Sequence, residues 1–270
     1  MAFDIRELQR GNTIVGISDG DDANLQRIES GRIGGAFAWW LAQKVQKNNW
    51  DLNICTGYDS RESSAALREG IMTGFQMFGA HNHDAGLATS AAMKMGARMA
   101  VYEYDATVMI TAGDNPEKMN GFRFFTAEGE VSEDDIAKIL SYAAKYVFVG
   151  EWYETEKTNL MDMYAAHLKQ AISSGIRDFG GKLDGMHITV DTSNGAGEFF
   201  AGKVLEKLGA DVSNGQGADL SLKFSFDGDA VELFDSDGKP IPRNDTFSVD
   251  EDAASQAVRK IIAFAKEKLA

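Results

Sequence analysis

Along most of this chain, short apolar runs alternate with longer stretches in which apolar residues recur every three or four positions. The run Thr13 to Ile17 reads as a first strand. Ile28, Ile33, Phe37, Trp40, Leu41 and Val45 then mark one face of a helix over about 26–46. A strand at Leu52 to Cys55 is followed by a helix that Ser63 or Ser64 caps and that continues to about Phe78. A strand near His81 to Ala85 and a helix around Ala91 to Met99 lead to the apolar run Val108, Met109, Ile110. That run predicts a buried strand, cut off by the polar loop Thr111-Ala112-Gly113-Asp114-Asn115-Pro116 and then by Met119-Asn120-Gly121, with Gly113 and Gly121 as its flexible points.

Further on, Ser132 to Asp135 has the pattern of a capping box and starts another helix. From Glu154 to about Ile172 the apolar positions Leu160, Met163, Ala166, Leu168 and Ile172 predict a long amphipathic helix bridging two domains. A strand at Met186 to Asp191, a turn through Asn194-Gly195-Ala196-Gly197 and a helix over Glu198 to Leu208 open the second unit. Strands over Ala218 to Phe224 and from Val231, then a helix from Ala253 to Leu269, complete it. Repeated strand–helix alternation implies an α/β fold with mixed, largely parallel sheets, right-handed crossovers and helices on both faces. We read two related α/β/α domains, 1–165 and 166–270. In such sheets ligands bind outside the carboxyl ends of the strands, which makes the 111–116 loop the first place to look for chemistry.

Charge narrows the partners. A net charge of -14 excludes nucleic acid, whose phosphates need a basic face, and is compatible with divalent cations. No run approaches the roughly 20 apolar residues of a membrane span, and the first residues have no signal-peptide core, so the expected location is cytoplasmic. The single cysteine, Cys55, rules out an internal disulfide framework and reads as buried filler in its apolar run, and Phe37, Trp39 and Trp40 read as packing. His81 and His83 share one side of a strand without a third metal ligand close by in sequence. Asp227-Gly228-Asp229 puts two carboxylates on one loop, a pattern that suits Mg²⁺ and that ordinary turns share. The turn Asn194 to Gly197 resembles an anion-binding helix entry.

The words of these loops resemble one family, the α-D-phosphohexomutases (phosphoglucomutase and phosphomannomutase). Thr111 to Pro116, followed by Asn120-Gly121-Phe122-Arg123, is similar to the family's T-A-S-H-N-P and N-G-x-K. Gly57-Tyr58-Asp59-Ser60-Arg61 with Ser63 resembles its G-x-D-x-R-x-S, and Gly86 to Ser90 its G-L-x-x-T-P. Asp191 to Gly197 with Leu205 to Val212 is similar to the opening of the family's second domain, and Pro240, Pro242, Arg243 and Asn244 continue the likeness.

The resemblance implies phosphoryl transfer on hexose phosphates in carbohydrate metabolism, through a phosphoserine and Mg²⁺. It also exposes departures. Glycine, Gly113, stands at the phosphoserine position and Asp114 at that of the histidine. Laid on the metal loop, the family's three aspartates fall on Ser225, Asp227 and Asp229, and its arginine on Ala230, so the first ligand and the arginine are replaced. The early loop Ser18 to Leu25, basic in the family, is acidic here. Asp59, Arg61, Asn115 and Arg123 would brace the loop. Family members usually have four domains, and this chain reads as two. The expectation is therefore a mutase-like chain with little or no activity, a weak or absent Mg²⁺ site and an incomplete hexose phosphate cleft. Two alternatives stay open: a non-catalytic module binding a full-length mutase or a second copy of itself, and an engineered fragment.

Overall fold

The run Ala106–Ile110 has no exposed residue, and such a strand requires cover on both faces of its sheet. The computed structural model describes residues 3–145, 155–192, 195–213, 217–225, 227–241 and 253–269. It divides into two compact units, Met1–Leu160 and Met161–Ala270. In the first unit the elements run β1 (Gln9–Arg10), β2 (Thr13–Ile17), α1 (Arg27–Val45), β3 (Asn53–Tyr58), α2 (Ser64–Phe78), β4 (His81–Leu87), α3 (Ser90–Gly96), β5 (Ala106–Ile110), β6 (Met119–Thr126), β7 (Gly129–Glu130), α4 (Glu133–Ala143) and β8 (Glu156–Lys157).

The strands form one sheet in the order β1-β2-β6-β5-β3-β4-β8, with β7 on β6. The ladders joining β5, β3, β4 and β8 are parallel, and those joining β1, β2, β6 and β5 are antiparallel. This is the mixed α/β class expected. Antiparallel pairing of β5 and β6 follows from the connection between them, which holds no crossover helix.

The core sits between the sheet and α1, α2 and α4. Phe37 is its centre: its ring stacks on Phe124 of β6 at 4.4 Å and on Trp40 at 5.7 Å, and tilts against Phe75 of α2 at 6.0 Å. Trp39 lies flat on Tyr142 at 4.0 Å, so the aromatic cluster is packing. Ile28, counted on the apolar face of α1, is 69% exposed, because that face turns inward only from Ser30 onward. On the other side of the sheet, Thr107 donates a hydrogen bond to the Met93 carbonyl of α3. Burial pushes the Cys55 thiol well up, which removes its nucleophilic character.

Helices α1 and α2 touch backbone to backbone. A Cβ built on Gly34 would lie 2.3 Å from the Ile71 carbonyl oxygen, and one on Gly74 2.2 Å from that of Gly31. Gly121 belongs to a contact of the same kind. It is not a loop hinge but a residue inside β6, where a Cβ would come within 2.0 Å of the Ile14 carbonyl oxygen on β2.

In the second unit α5 (Leu160–Gly175) precedes β9 (His187–Asp191), β10 (Asp211–Val212), β11 (Leu220–Phe224), β12 (Val231–Asp235) and α6 (Ala253–Leu269). Its sheet has the order β10-β9-β11-β12, parallel except at β11–β12. The helix expected from Glu154 begins at Leu160. Residues 146–154 lie outside the described residues, and Glu156–Lys157 pair with β4 as a short strand. The apolar period itself starts only at Leu160. The helical run after Gly197 is wound as a π-helix over Phe200–Leu205 between two short 3-10 turns. Gly197 is pressed against Phe224, whose Cγ would lie 2.9 Å from an added Cβ. Ser193, Asn194, Phe226, Pro242, Arg243 and Asn244 lie outside the described residues.

Replacing Gly34 or Gly74 by alanine should cost about 2 kcal/mol through overpacking against a carbonyl that cannot retreat. Gly31→Ala is the control: its added Cβ would meet nothing closer than 3.4 Å, and alanine favours the helix, so stability should stay level or rise. Urea unfolding of the three variants checks this, and equal losses would show that helix proximity is not the cause.

Candidate functional site

At the carboxyl end of β3, Asp59 is fully buried and Arg61 is 4% exposed. The aspartate makes three contacts, two of them to the arginine. Its Oδ2 pairs with Nη1 of Arg61, its Oδ1 accepts from the Arg61 amide at 3.2 Å, and the same oxygen accepts from the Ser64 hydroxyl at 3.0 Å. Held in this way, Arg61 turns Nη2 toward the loop that follows β5, donating to the carbonyls of Gly113 at 2.7 Å and Asn115 at 3.0 Å. Two carbonyls two residues apart are pinned by one planar, permanently charged group.

The loop closes on itself as well. The Asn115 side chain donates to the Ala112 carbonyl at 2.6 Å, and the Gly113 amide donates to the Thr111 hydroxyl at 3.1 Å. Gly113 takes φ of +59°, where a side chain is strained. Asp114, at the tip, is exposed. The structure therefore brings Asp59, Arg61, Gly113 and Asn115 together, with Asp114 projecting beside them. Arg123 has a partner of its own: its guanidinium binds Glu130 of β7 at 2.8 Å and lies over the Phe125 ring.

Ser63 and Ser64 do not cap α2. Ser63 has helical backbone angles and makes no capping bond. Both hydroxyls instead accept from the side-chain amide of Asn120, at 2.9 and 3.0 Å. Asn120, buried at the start of β6, thus belongs to the brace, a role that sequence reading missed. The available signal was a polar amide, Asn120, at the start of a largely apolar strand.

Beside the brace lies a cavity of ≈690 Å³ lined by Ser18, Asp19, Glu62, Ser63, Glu117 and Lys118. Three carboxylates face one ammonium, and that ammonium lies 3.7 Å from Asp22. The acidity of the 18–25 loop is therefore at the cavity itself, where it disfavours anions.

In the second unit, the loop between β11 and β12 carries Ser225, Asp227, Asp229 and Ala230. Asp227 is 3% exposed. Its Oδ1 accepts from the Ser225 hydroxyl at 2.7 Å and from the Asp229 amide at 3.1 Å. The same hydroxyl accepts from the Ala230 amide at 2.8 Å. A hard cation needs six or more oxygens with lone pairs directed at it. Here the serine oxygen directs its proton at the aspartate and receives another from a backbone amide, so the set does not fit Mg²⁺ in the family's manner. Among the described residues, no three His, Cys, Asp or Glu side chains gather as metal ligands. His83 lies 4.0 Å from Glu156, and burial lowers its pKa below the usual imidazole value. Among the described residues, no helix is long and apolar enough to cross a membrane.

Residues 29–149 match the model of the phosphoglucomutase/phosphomannomutase alpha/beta/alpha domain I. A phosphoglucosamine mutase of Thermoanaerobacter sp. is 31% identical over 206 residues, covering 74% of this chain and 42% of that protein. Another, of Caldicellulosiruptor bescii, is 29% identical, covering 67% and 39%. The chain thus spans about two fifths of these relatives. A phosphoglucomutase/phosphomannomutase family protein of Burkholderia thailandensis superposes with a TM-score of 0.69 over 87% of this chain and 56% of its own, at 18% identity. That likeness is one of fold.

Removing the aspartate of the brace leaves a buried, unpaired guanidinium. Asp59→Ala should destabilise the first unit by about 3–5 kcal/mol, and Arg61→Lys should lose amide protection in the 111–116 loop. Denaturant unfolding and hydrogen exchange test the pair. Unchanged loop protection in Arg61→Lys would show that the two carbonyl bonds do not hold the loop.

Proposed function

The chain belongs to the phosphohexomutase family, and from that membership we propose that it is a mutase-like protein that keeps the frame of the phosphoryl-transfer loop without performing the transfer. One observation carries the reading: Arg61 grips the carbonyls on either side of the loop tip, while the residue gripped, Gly113, has no side chain. Covalent phosphoryl transfer by the family route needs an oxygen on the enzyme that accepts the phosphoryl group and returns it. Glycine offers none. The pinned loop holds its shape with its nucleophile gone.

Two further observations support this. The cavity beside the loop presents Asp19, Glu62 and Glu117, and a sugar phosphate entering it would meet three carboxylates. Phosphoryl-transfer sites do the opposite, gathering positive charge around the group in flight. Mg²⁺ is the family's expectation, and the bond between Ser225 and Asp227 argues for weak or absent binding here. Asp114, the exposed carboxylate at the loop tip, is a candidate for a substitute nucleophile. Among the described residues no hydrogen bond or ion pair holds its carboxylate in place, and we assign it no catalytic role.

A coupled assay on glucose 1-phosphate, mannose 1-phosphate and glucosamine 1-phosphate, with Mg²⁺ and a sugar bisphosphate, is the test. Turnover should be no higher than that of an Asp227→Ala, Asp229→Ala double variant prepared identically, which exposes host contamination. Phosphate label should not stay on Asp114 after a bisphosphate chase. Turnover above the control, or label on Asp114, would overturn the reading.

A further inference from the structure

The β11–β12 connection carries more hydrogen bonding than a turn of its length requires. Its ends are tied by the backbone, the Ser225 amide donating to the Ala230 carbonyl at 2.9 Å, and the Gly228 amide donating to the Ser225 carbonyl at 2.9 Å. Inside that ring lies one hydroxyl. Ser225 Oγ donates to Asp227 Oδ1 at 2.7 Å and accepts from the Ala230 amide at 2.8 Å, and Asp227 Oδ1 takes a second bond from the Asp229 amide at 3.1 Å. Three amides and one hydroxyl proton therefore converge on the oxygens of Ser225 and on one carboxylate oxygen of Asp227.

We infer that the Ser225 hydroxyl closes this loop in the place where the family pattern puts a cation, so that the loop is a metal-independent structural turn and Ser225 is its keystone. The reasoning is one of charge and valence. A buried carboxylate has to be met by positive charge or by donors. Asp227 Oδ1 is met by an O–H and an N–H, both supplied by residues of the loop, so that oxygen has its donors without an ion. Were Ser225 an aspartate, as in the family pattern, the donor would be lost and a second carboxylate would stand against the first, an arrangement that a cation relieves at neutral pH. One substitution thus exchanges two modes of closure.

This deepens the proposal above, since it rests on the reading that the chain has lost the family's metal chemistry, and it is tested by stability, not turnover. Thermal unfolding and amide exchange of the full chain are measured in EDTA and in excess Mg²⁺, for the parent and for Ser225→Ala, Ser225→Thr and Ser225→Asp. The parent should melt at the same temperature in both buffers. Ser225→Ala should melt lower by roughly 5 °C in both, with exchange protection lost at the Asp229 and Ala230 amides, and Ser225→Thr, which keeps the hydroxyl, should recover most of it. Ser225→Asp should be destabilised in EDTA and recover with Mg²⁺.

A saturable rise of the parent's melting temperature with Mg²⁺, abolished by Asp229→Ala, would overturn the inference. So would a Ser225→Ala variant with unchanged melting and unchanged protection. If Ser225→Asp does not fold in either buffer, the parent, Ser225→Ala and Ser225→Thr still decide the matter. Mutase turnover in a protein whose melting ignores Mg²⁺ would strike the functional proposal and leave this closure standing, and a Mg²⁺-stabilised protein without turnover would do the reverse.

Discussion

The buried pair of Asp59 and Arg61 is the contact on which the candidate site depends. A charge pair withdrawn from water gains little stability by itself, because desolvation of both ions offsets most of their attraction. What the pair provides is position. Asp59 stands at the end of a parallel strand, Arg61 at the entry to α2, and the guanidinium reaches a loop more than fifty residues further along the chain. Three elements that meet only at the carboxyl edge of the sheet are locked by one side chain. Ser64 and Asn120 extend the lock, so that the start of β6 is tied to the same carboxylate. The side-chain polar atoms of Asp59, Ser64 and Asn120 are bonded within the cluster or to its backbone, which lets the network rigidify its surroundings.

The sheet can present that edge only because its other surfaces are closed. Phe37 and its aromatic neighbours fill one face, and they do so at short range because α1 and α2 approach through glycines. The same economy of volume recurs at Gly121 against β2 and at Gly197 against Phe224. In each case the glycine serves proximity, and its conformational freedom is incidental.

That distinction marks where the sequence was legible. Strand and helix positions followed directly from the spacing of apolar residues, since burial of one face or two leaves a period in the chain. β2, α1, β11 and α6 have the bounds, or nearly the bounds, that their apolar residues imply. Gly121 was misread as a hinge, because a glycine required by a neighbour's carbonyl and one required by a turn look alike without the neighbour. Ser63 and Ser64 were misread as caps for a related reason: their partner, Asn120, lies on a strand with no local sequence link to α2. The two-residue β8 left no period at all, and the π winding at Phe200–Leu205 carries no compositional mark. Contacts between distant segments are what one sequence does not display.

The pattern of kept and altered positions then has an energetic logic. Relative to the family pattern, the altered residues are those whose replacement leaves no buried group stranded. Glycine at the half-buried position 113 leaves no buried partner without its bond, since Arg61 holds the backbone carbonyl there. An aspartate facing Asp227 can become Ser225, provided the hydroxyl takes over as donor, and it does. Asp59 and Arg61 have no such exit, because removing either leaves its counterpart a buried charge without its counter-ion. On the proposed reading, a chain released from catalysis is still held by folding, which retains the brace whether or not a nucleophile is present. On that reading the fold preserves the outline of a phosphoryl-transfer site more faithfully than its chemistry.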